Sequence, residues 1–146
     1  NSFIFQDFFM RHNMMIPQHL FVYGTLRPHL ASNNVRQLLV GMKVVGPATV
    51  QGRLYDFGDF PGVTNGTGIV HGNLLRLSHT EQLNALDDYE ECHGLSPLFT
   101  RSSTNAQLSD GLCVSAWIYL FNRQLKLGIP ILSGDYAQHI QDRPNY

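Results

Sequence analysis

Two stretches of this 146-residue sequence bring together residue types able to do acid–base chemistry on a small molecule. The first is Leu86-Asp87-Asp88-Tyr89-Glu90-Glu91. A helix turns by about 100° per residue, so Leu83, Leu86 and Tyr89 share one apolar face, and Glu90, four residues after Leu86, falls inside it. Asp88 and Glu91 project away toward solvent, and Asp87 lies on the margin. A carboxylate on a core-facing stripe is costly unless it is paired or protonated. Partial burial raises its pKa toward neutrality, which suits a general base working near pH 7. The same spacing also fits a helix that stops near Tyr89 and leaves Glu90 to water or to an arginine such as Arg101.

The second stretch is Tyr23-Gly24-Thr25-Leu26-Arg27-Pro28, which leaves the short apolar run Leu20-Phe21-Val22 and precedes a helical segment. In that setting backbone N–H groups converge on an anion. Gly24 permits close backbone approach, and Thr25 adds a hydroxyl. Tyr55, Trp117 and Tyr119 are candidates to line a pocket, although aromatic residues in strands also serve as packing. Residues 56–66 are rich in glycine but match neither the phosphate-loop nor the dinucleotide pattern, which argues against a nucleotide site. Cys92-His93 is an adjacent pair without the second half of a metal-ligand set. Cys113, in an apolar strand, reads as a core thiol.

These residues need elements to hold them. The run at Leu20 reads as a buried strand stopped by Gly24. Ala31 to Val40 reads as a helix with Gly41 as its C-cap. Lys43 to Phe57 suggests one or two strands with a bend, and Gly58 to Gly68, with Pro61 and Asn65, a loop with several unusual backbone angles. Ile69 to Leu77 follows as a strand. Ser78-His79-Thr80-Glu81 matches a capping box at the head of a helix expected over His79 to Glu91. Leu98 to Ala106 and Cys113 to Phe121 read as two strands of a hairpin joined at Ser109-Asp110-Gly111. A short helix is expected at most after Ser133. The sum is an α+β fold: a mixed, largely antiparallel sheet with two helices against it, able to close into a barrel.

Residues 1–16, with four phenylalanines among the first nine, read as an N-terminal arm ahead of a single domain over 17–146. The arm lacks the basic and long apolar regions of a signal peptide. A hydrophobic content of 43% supports a real core, and a formal net charge of -1 without a basic run argues against a nucleic-acid partner. No stretch reaches the roughly 20 apolar residues of a membrane span. Two cysteines without a secretory segment fit a reducing, cytoplasmic setting. A monomer or weak homodimer is expected.

Phe21-Val22-Tyr23-Gly24-Thr25-Leu26-Arg27 followed by Leu86-Asp87-Asp88-Tyr89-Glu90 resembles the γ-glutamylcyclotransferase superfamily. Gly52-Arg53-Leu54-Tyr55-Asp56, Phe60-Pro61-Gly62 and Val70-His71-Gly72 support the match. The ending Ser133-Gly134-Asp135-Tyr136 is similar to small bacterial, AIG2-like members. The resemblance implies a mixed β-barrel with flanking helices and a reaction in which a γ-glutamyl amine or peptide cyclises to 5-oxoproline and releases the amine. It implies Glu90 as the base that takes a proton from the substrate α-ammonium, and a substrate cradle at Tyr23, Gly24, Thr25 and Leu26, with Tyr55 and Tyr119 nearby. No metal or cofactor is required by such chemistry. The chain departs from the pattern at Glu91, where Gly commonly follows the base, and at Phe99, where Tyr commonly precedes the arginine. A non-catalytic binding module on the same fold, and γ-glutamyl transfer or hydrolysis without cyclisation, are the alternatives.

Overall fold

A computed structural model describes residues 16–125 and 128–143. The arm expected over residues 1–16 therefore lies outside the described residues apart from Ile16. The elements run β1 (His19–Val22), α1 (Asn33–Leu38), β2 (Lys43–Asp56), β3 (Pro61–Arg76), α2 (Gln82–Tyr89), β4 (Phe99–Leu108), β5 (Cys113–Phe121), β6 (Ile129–Pro130) and α3 (Tyr136–Gln141).

The first five strands close on themselves. β3 runs antiparallel to both β1 and β2, β2 to β4, and β4 to β5. The ring is then shut by a parallel contact in which Leu20 of β1 faces Trp117 of β5. β6 adds to the edge of β2. The expected mixed, largely antiparallel barrel with flanking helices is the fold observed. Closure removes the unpaired edges that an open sheet would expose.

Strand alternation sorts the apolar residues into two cores. Phe21, Val50, Leu54, Val63, Leu74, Ala106, Ala116 and Ile118 fill the barrel. Leu20, Val22, Leu75, Phe99 and Tyr119 point outward from the same strands and meet Val35 of α1 and Leu83 and Leu86 of α2. Burying Leu83 and Leu86 contributes about 1.5–3 kcal/mol each, which is what holds a helix of only two turns against the barrel wall.

Three expectations require correction. Residues 58–68 are not a loop, because β3 begins at Pro61 and forms one long hairpin with β2. Of the glycines there only Gly58 takes a left-handed angle (φ +95°). The others serve close approach: a Cβ on Gly68 would lie 2.7 Å from the carbonyl oxygen of Gly52, where β2 bulges between Gln51 and Arg53. Composition signals glycine but not which of these two needs it meets. The capping box also differs in detail. Helix α2 starts at Gln82, and Gln82, not Glu81, reaches back to accept from the Ser78 N–H and hydroxyl. A single-residue delay in the helix start moves the reciprocal acceptor by one position. Helix α1 is also shorter than expected; the Ser32 hydroxyl accepts from Val35 N–H and fixes its start.

Candidate active site

A cavity of about 290 Å³ opens where the C-terminal end of α2 meets the mouth of the barrel. Its walls come from the β1–α1 loop, the β2–β3 turn, the residues after α2, and the outward face of β4 and β5. Tyr23, Gly24, Thr25, Leu26, Glu90 and Tyr119, six of the seven residues expected from the sequence, line it together.

The loop is built by a tight turn in which Arg27 N–H donates to the Gly24 carbonyl at 2.9 Å, followed by Leu30 and Ala31 N–H donating to the Arg27 carbonyl. Among the described residues, the N–H groups of Gly24, Thr25 and Leu26 have no protein acceptor. They are donors available to a ligand anion. Leu26 is buried and anchors the loop, whereas Thr25 is exposed. Gly24 answers a packing need as well: a Cβ there would stand 2.5 Å from Pro61 Cγ. Arg27 is directed away from the cavity, held by Asn73 at 2.9 Å and Asp135 at 3.1 Å.

Glu90 occupies the C-cap of α2, its N–H still donating to the Leu86 carbonyl at 2.9 Å. The helix does stop at Tyr89, yet the half-buried Glu90 stays on the cavity wall. Burial, and secondarily the charge of Glu91, push its carboxyl from an ordinary 4.5 up to about 7. Tyr89, expected on the buried face, is 44% exposed at the rim, because the apolar stripe ends where the helix does. Glu91 is exposed but also borders the cavity, and it adopts φ +52°. This is the left-handed position that commonly ends a helix and that glycine fills without penalty.

The tyrosines tie the two halves together. Tyr23 Oη donates to the carbonyl of Tyr119 at 2.6 Å, and burial, followed by the nearby Glu90 charge, raises its pKa well above 10. Tyr119 Oη donates to Asp87 Oδ1 at 2.7 Å, and burial and that bond raise its own pKa. Both phenols are therefore neutral at physiological pH. Arg101 engages Asp87 through Nε at 2.9 Å and Nη2 at 3.1 Å, so it is not the partner of Glu90.

Tyr55 does not line the cavity. Alternation along β2 turns Leu54 and Asp56 inward and Tyr55 outward, opposite Gly62 and Pro130 and with its ring 6.2 Å from that of Phe57. Phe60, Pro61 and Leu98 form wall segments that carry no pocket signal in the sequence, and Phe99, at the position where the resemblance implies a tyrosine, lines the cavity beside them. The pairing of Phe60-Pro61 with Gly24 depends on the β2–β3 hairpin, and the assignment of 58–68 to a loop concealed it. Among the described residues no group of three or more His, Cys, Asp or Glu comes together as a metal site would require. No helix among them is long and apolar enough to cross a membrane.

Comparison with known proteins agrees with this architecture. Residues 20–138 match the model of the family described as gamma-glutamyl cyclotransferase, AIG2-like. A candidate gamma-glutamylcyclotransferase of Vibrio cholerae serotype O1 is 34% identical over 129 residues, covering 84% of this chain and 99% of that protein. The gamma-glutamylcyclotransferase family protein YtfP of Escherichia coli K12 is 30% identical over 120 residues, covering 80% of this chain and 94% of its own length. The solution structure of E. coli ytfP superposes with a TM-score of 0.63 at 27% identity, over 84% of this chain and 98% of that one. An AIG2-like protein of Mus musculus shares the fold at a TM-score of 0.66 and 21% identity, over 82% and 87% of the two chains. On the strength of its family match, its curated relatives and its barrel, this chain belongs to the gamma-glutamyl cyclotransferase, AIG2-like family.

Proposed function

We propose that the protein converts a γ-glutamyl amine or peptide to 5-oxoproline and the free amine, with Glu90 as general base. The observation that carries this reading is the pairing, across one cavity, of a half-buried carboxyl raised to about 7 with a loop of unpartnered backbone donors. A carboxyl titrating near the working pH is matched to accepting a proton from an ammonium group. Glu90 takes that proton from the substrate α-nitrogen, which then attacks the γ-carbonyl carbon of the same molecule. The developing oxyanion, or the α-carboxylate, accepts hydrogen bonds from the Gly24–Leu26 N–H groups. As the C–N bond to the departing amine breaks, the protonated Glu90 gives its proton to that nitrogen, and the ring nitrogen sheds its second proton to the Glu90 carboxylate so regenerated, and from there to solvent, leaving the neutral lactam. Because nucleophile and electrophile belong to one molecule, the site's main task is to hold it folded in an attack geometry. Tyr23, Phe60, Phe99 and Tyr119 offer the rigid walls for that task.

The test is incubation of the purified protein with a panel of γ-glutamyl amines and peptides, with 5-oxoproline followed by mass spectrometry beside a Glu90→Gln control. Release that is lost in the control, with an acid limb near pH 7 in the wild type, is expected. Undiminished release by a folded Glu90→Gln protein would overturn the mechanism. Release of glutamate in place of 5-oxoproline would replace cyclisation with hydrolysis, and ligand-induced stabilisation without turnover would identify a binding module.

A further inference from the structure

Asp87 precedes Glu90 by one helical turn and was expected at the margin of the helix, yet it is the most heavily engaged side chain beside the cavity. One oxygen accepts the Tyr119 hydroxyl at 2.7 Å and Arg101 Nε at 2.9 Å, while the other accepts Arg101 Nη2 at 3.1 Å. The guanidinium is in turn seated over the Trp117 ring, 4.4 Å from its centroid. Tyr119 and Trp117 belong to β5 and Arg101 to β4, so a single carboxylate joins α2 to two strands of the barrel. The Asp87 carboxylate is 15% exposed and the Arg101 side chain 25% exposed, so the pair lies largely out of water.

We propose that Asp87 is a positioning residue of this site: it fastens the end of α2 to the barrel through Tyr119 and Arg101, and it keeps the Arg101 cation occupied so that Glu90 faces the cavity without a positive partner. Side chains three residues apart on a helix are neighbours, and the bidentate fit commits Arg101 to Asp87 and not to Glu90. Among the described residues, the other titratable groups about Glu90 do not supply a cation. Tyr23, Tyr119 and Cys92 are neutral at pH 7, the thiol being pushed up to about 11 by burial and by Asp87 and Glu90, and Asp59 and Glu91 are carboxylates.

This inference rests on the reading of Glu90 as a base, but its test does not require turnover. The Glu90 carboxyl is followed by carbon-detected NMR titration, with the Glu90→Gln protein used to assign its resonance. In Asp87→Asn the unpaired Arg101 cation lowers the Glu90 pKa by about one unit, whereas in Arg101→Gln the unpaired Asp87 anion raises it by a similar amount. The double variant Asp87→Asn/Arg101→Gln returns it to within about 0.3 unit of the wild type. A purely structural role predicts something different: loosening α2 exposes Glu90 to water and lowers its pKa in both single variants. A fall in Arg101→Gln, or no change in Asp87→Asn, would overturn the proposal. Should Asp87→Asn not fold, Arg101→Gln and Tyr119→Phe carry the test. Loss of the hydroxyl alone is expected to lower the rate of 5-oxoproline release while leaving the Glu90 titration nearly in place, and a downward shift matching that of a loosened helix would count against the proposal. Wild-type silence toward every γ-glutamyl compound with the titration pattern intact would remove the proposed activity and leave the positioning role standing.

Discussion

Replacing Glu90 by glutamine tests the electrostatics of the cavity through folding itself. The folded carboxyl titrates at about 7 and an ordinary one at 4.5, so folding raises its pKa by about 2.5 units. A raised carboxyl binds its proton more tightly in the folded state, so its contribution to stability is fully present below pH 4.5 and is lost as pH rises through about 7. At roughly 1.4 kcal/mol per unit the full loss is about 3 kcal/mol, of which about 2.5 kcal/mol falls between pH 5 and pH 8. Glutamine keeps the volume and cannot ionise. Urea unfolding of both proteins across this range isolates the Glu90 contribution, because every other titrating group is shared. The wild type is expected to weaken relative to Glu90→Gln by about 2–3 kcal/mol from pH 5 to pH 8. Parallel curves would refute the argument, since they would mean that Glu90 is as well solvated in the folded protein as in the unfolded chain.

Other substitutions probe the surroundings. Glu91→Gly removes a side chain from φ +52°. The relief of about 1–2 kcal/mol, less roughly 0.5–1 kcal/mol for the added freedom of the unfolded chain, leaves a net stabilisation of about 0.5–1 kcal/mol by thermal unfolding. The same change removes a charge that raises Glu90, so the Glu90 titration moves down. Gly24→Ala forces a methyl to within 2.5 Å of Pro61 Cγ, and a loss of about 1–3 kcal/mol with narrowing of the cavity is expected from denaturation and ligand-binding measurements. Asp56 is buried and accepts from Gly58 N–H at 2.7 Å, from His139 at 2.7 Å and from Arg143, which fastens α3 to the end of β2. Although burial pulls its pKa upward, these bonds outweigh it and hold the carboxyl below 3.8. Its contribution is therefore present above pH 3.8 and lost as pH falls through the folded value. Asp56→Asn should cost about 2 kcal/mol at pH 7, and less in acid.

The two motifs that carry the site were legible because each is local. Helix spacing put Glu90 on the stripe of Leu83 and Leu86, and the run into Gly24 marked a turn. What stayed hidden depends on strands far apart in the chain. Arg101 could have answered either Glu90 or Asp87, and only the register of β4 against β5, with Arg101 opposite Tyr119, brings it to Asp87. The bond from Tyr23 to the Tyr119 carbonyl requires the closure of β1 on β5 and has no local signature. Tyr55 went astray for a related reason: an aromatic beside a motif reads as pocket lining until the parity of its strand is known. In residues 58–68 the glycines carried the opposite meaning from the one their number suggests, because crowding between β2 and β3 excludes side chains from an extended strand.

The parallel seam between β1 and β5 also sets the order in which the molecule can be made. Leu20 meets Trp117 only after five other strand and helix elements have been synthesised, so the Tyr23 loop waits through most of translation for the wall it will face. The β2–β3 and β4–β5 hairpins can form early from neighbouring residues, whereas joining the first strand to the fifth requires closing a very long loop, the slow class of event in folding. Ligand binding in the cavity should therefore appear late in refolding, after the hairpins are protected from hydrogen exchange. A chain released before β5 would carry the Glu90 helix and the Tyr23 loop intact in sequence and have no surface to hold them together.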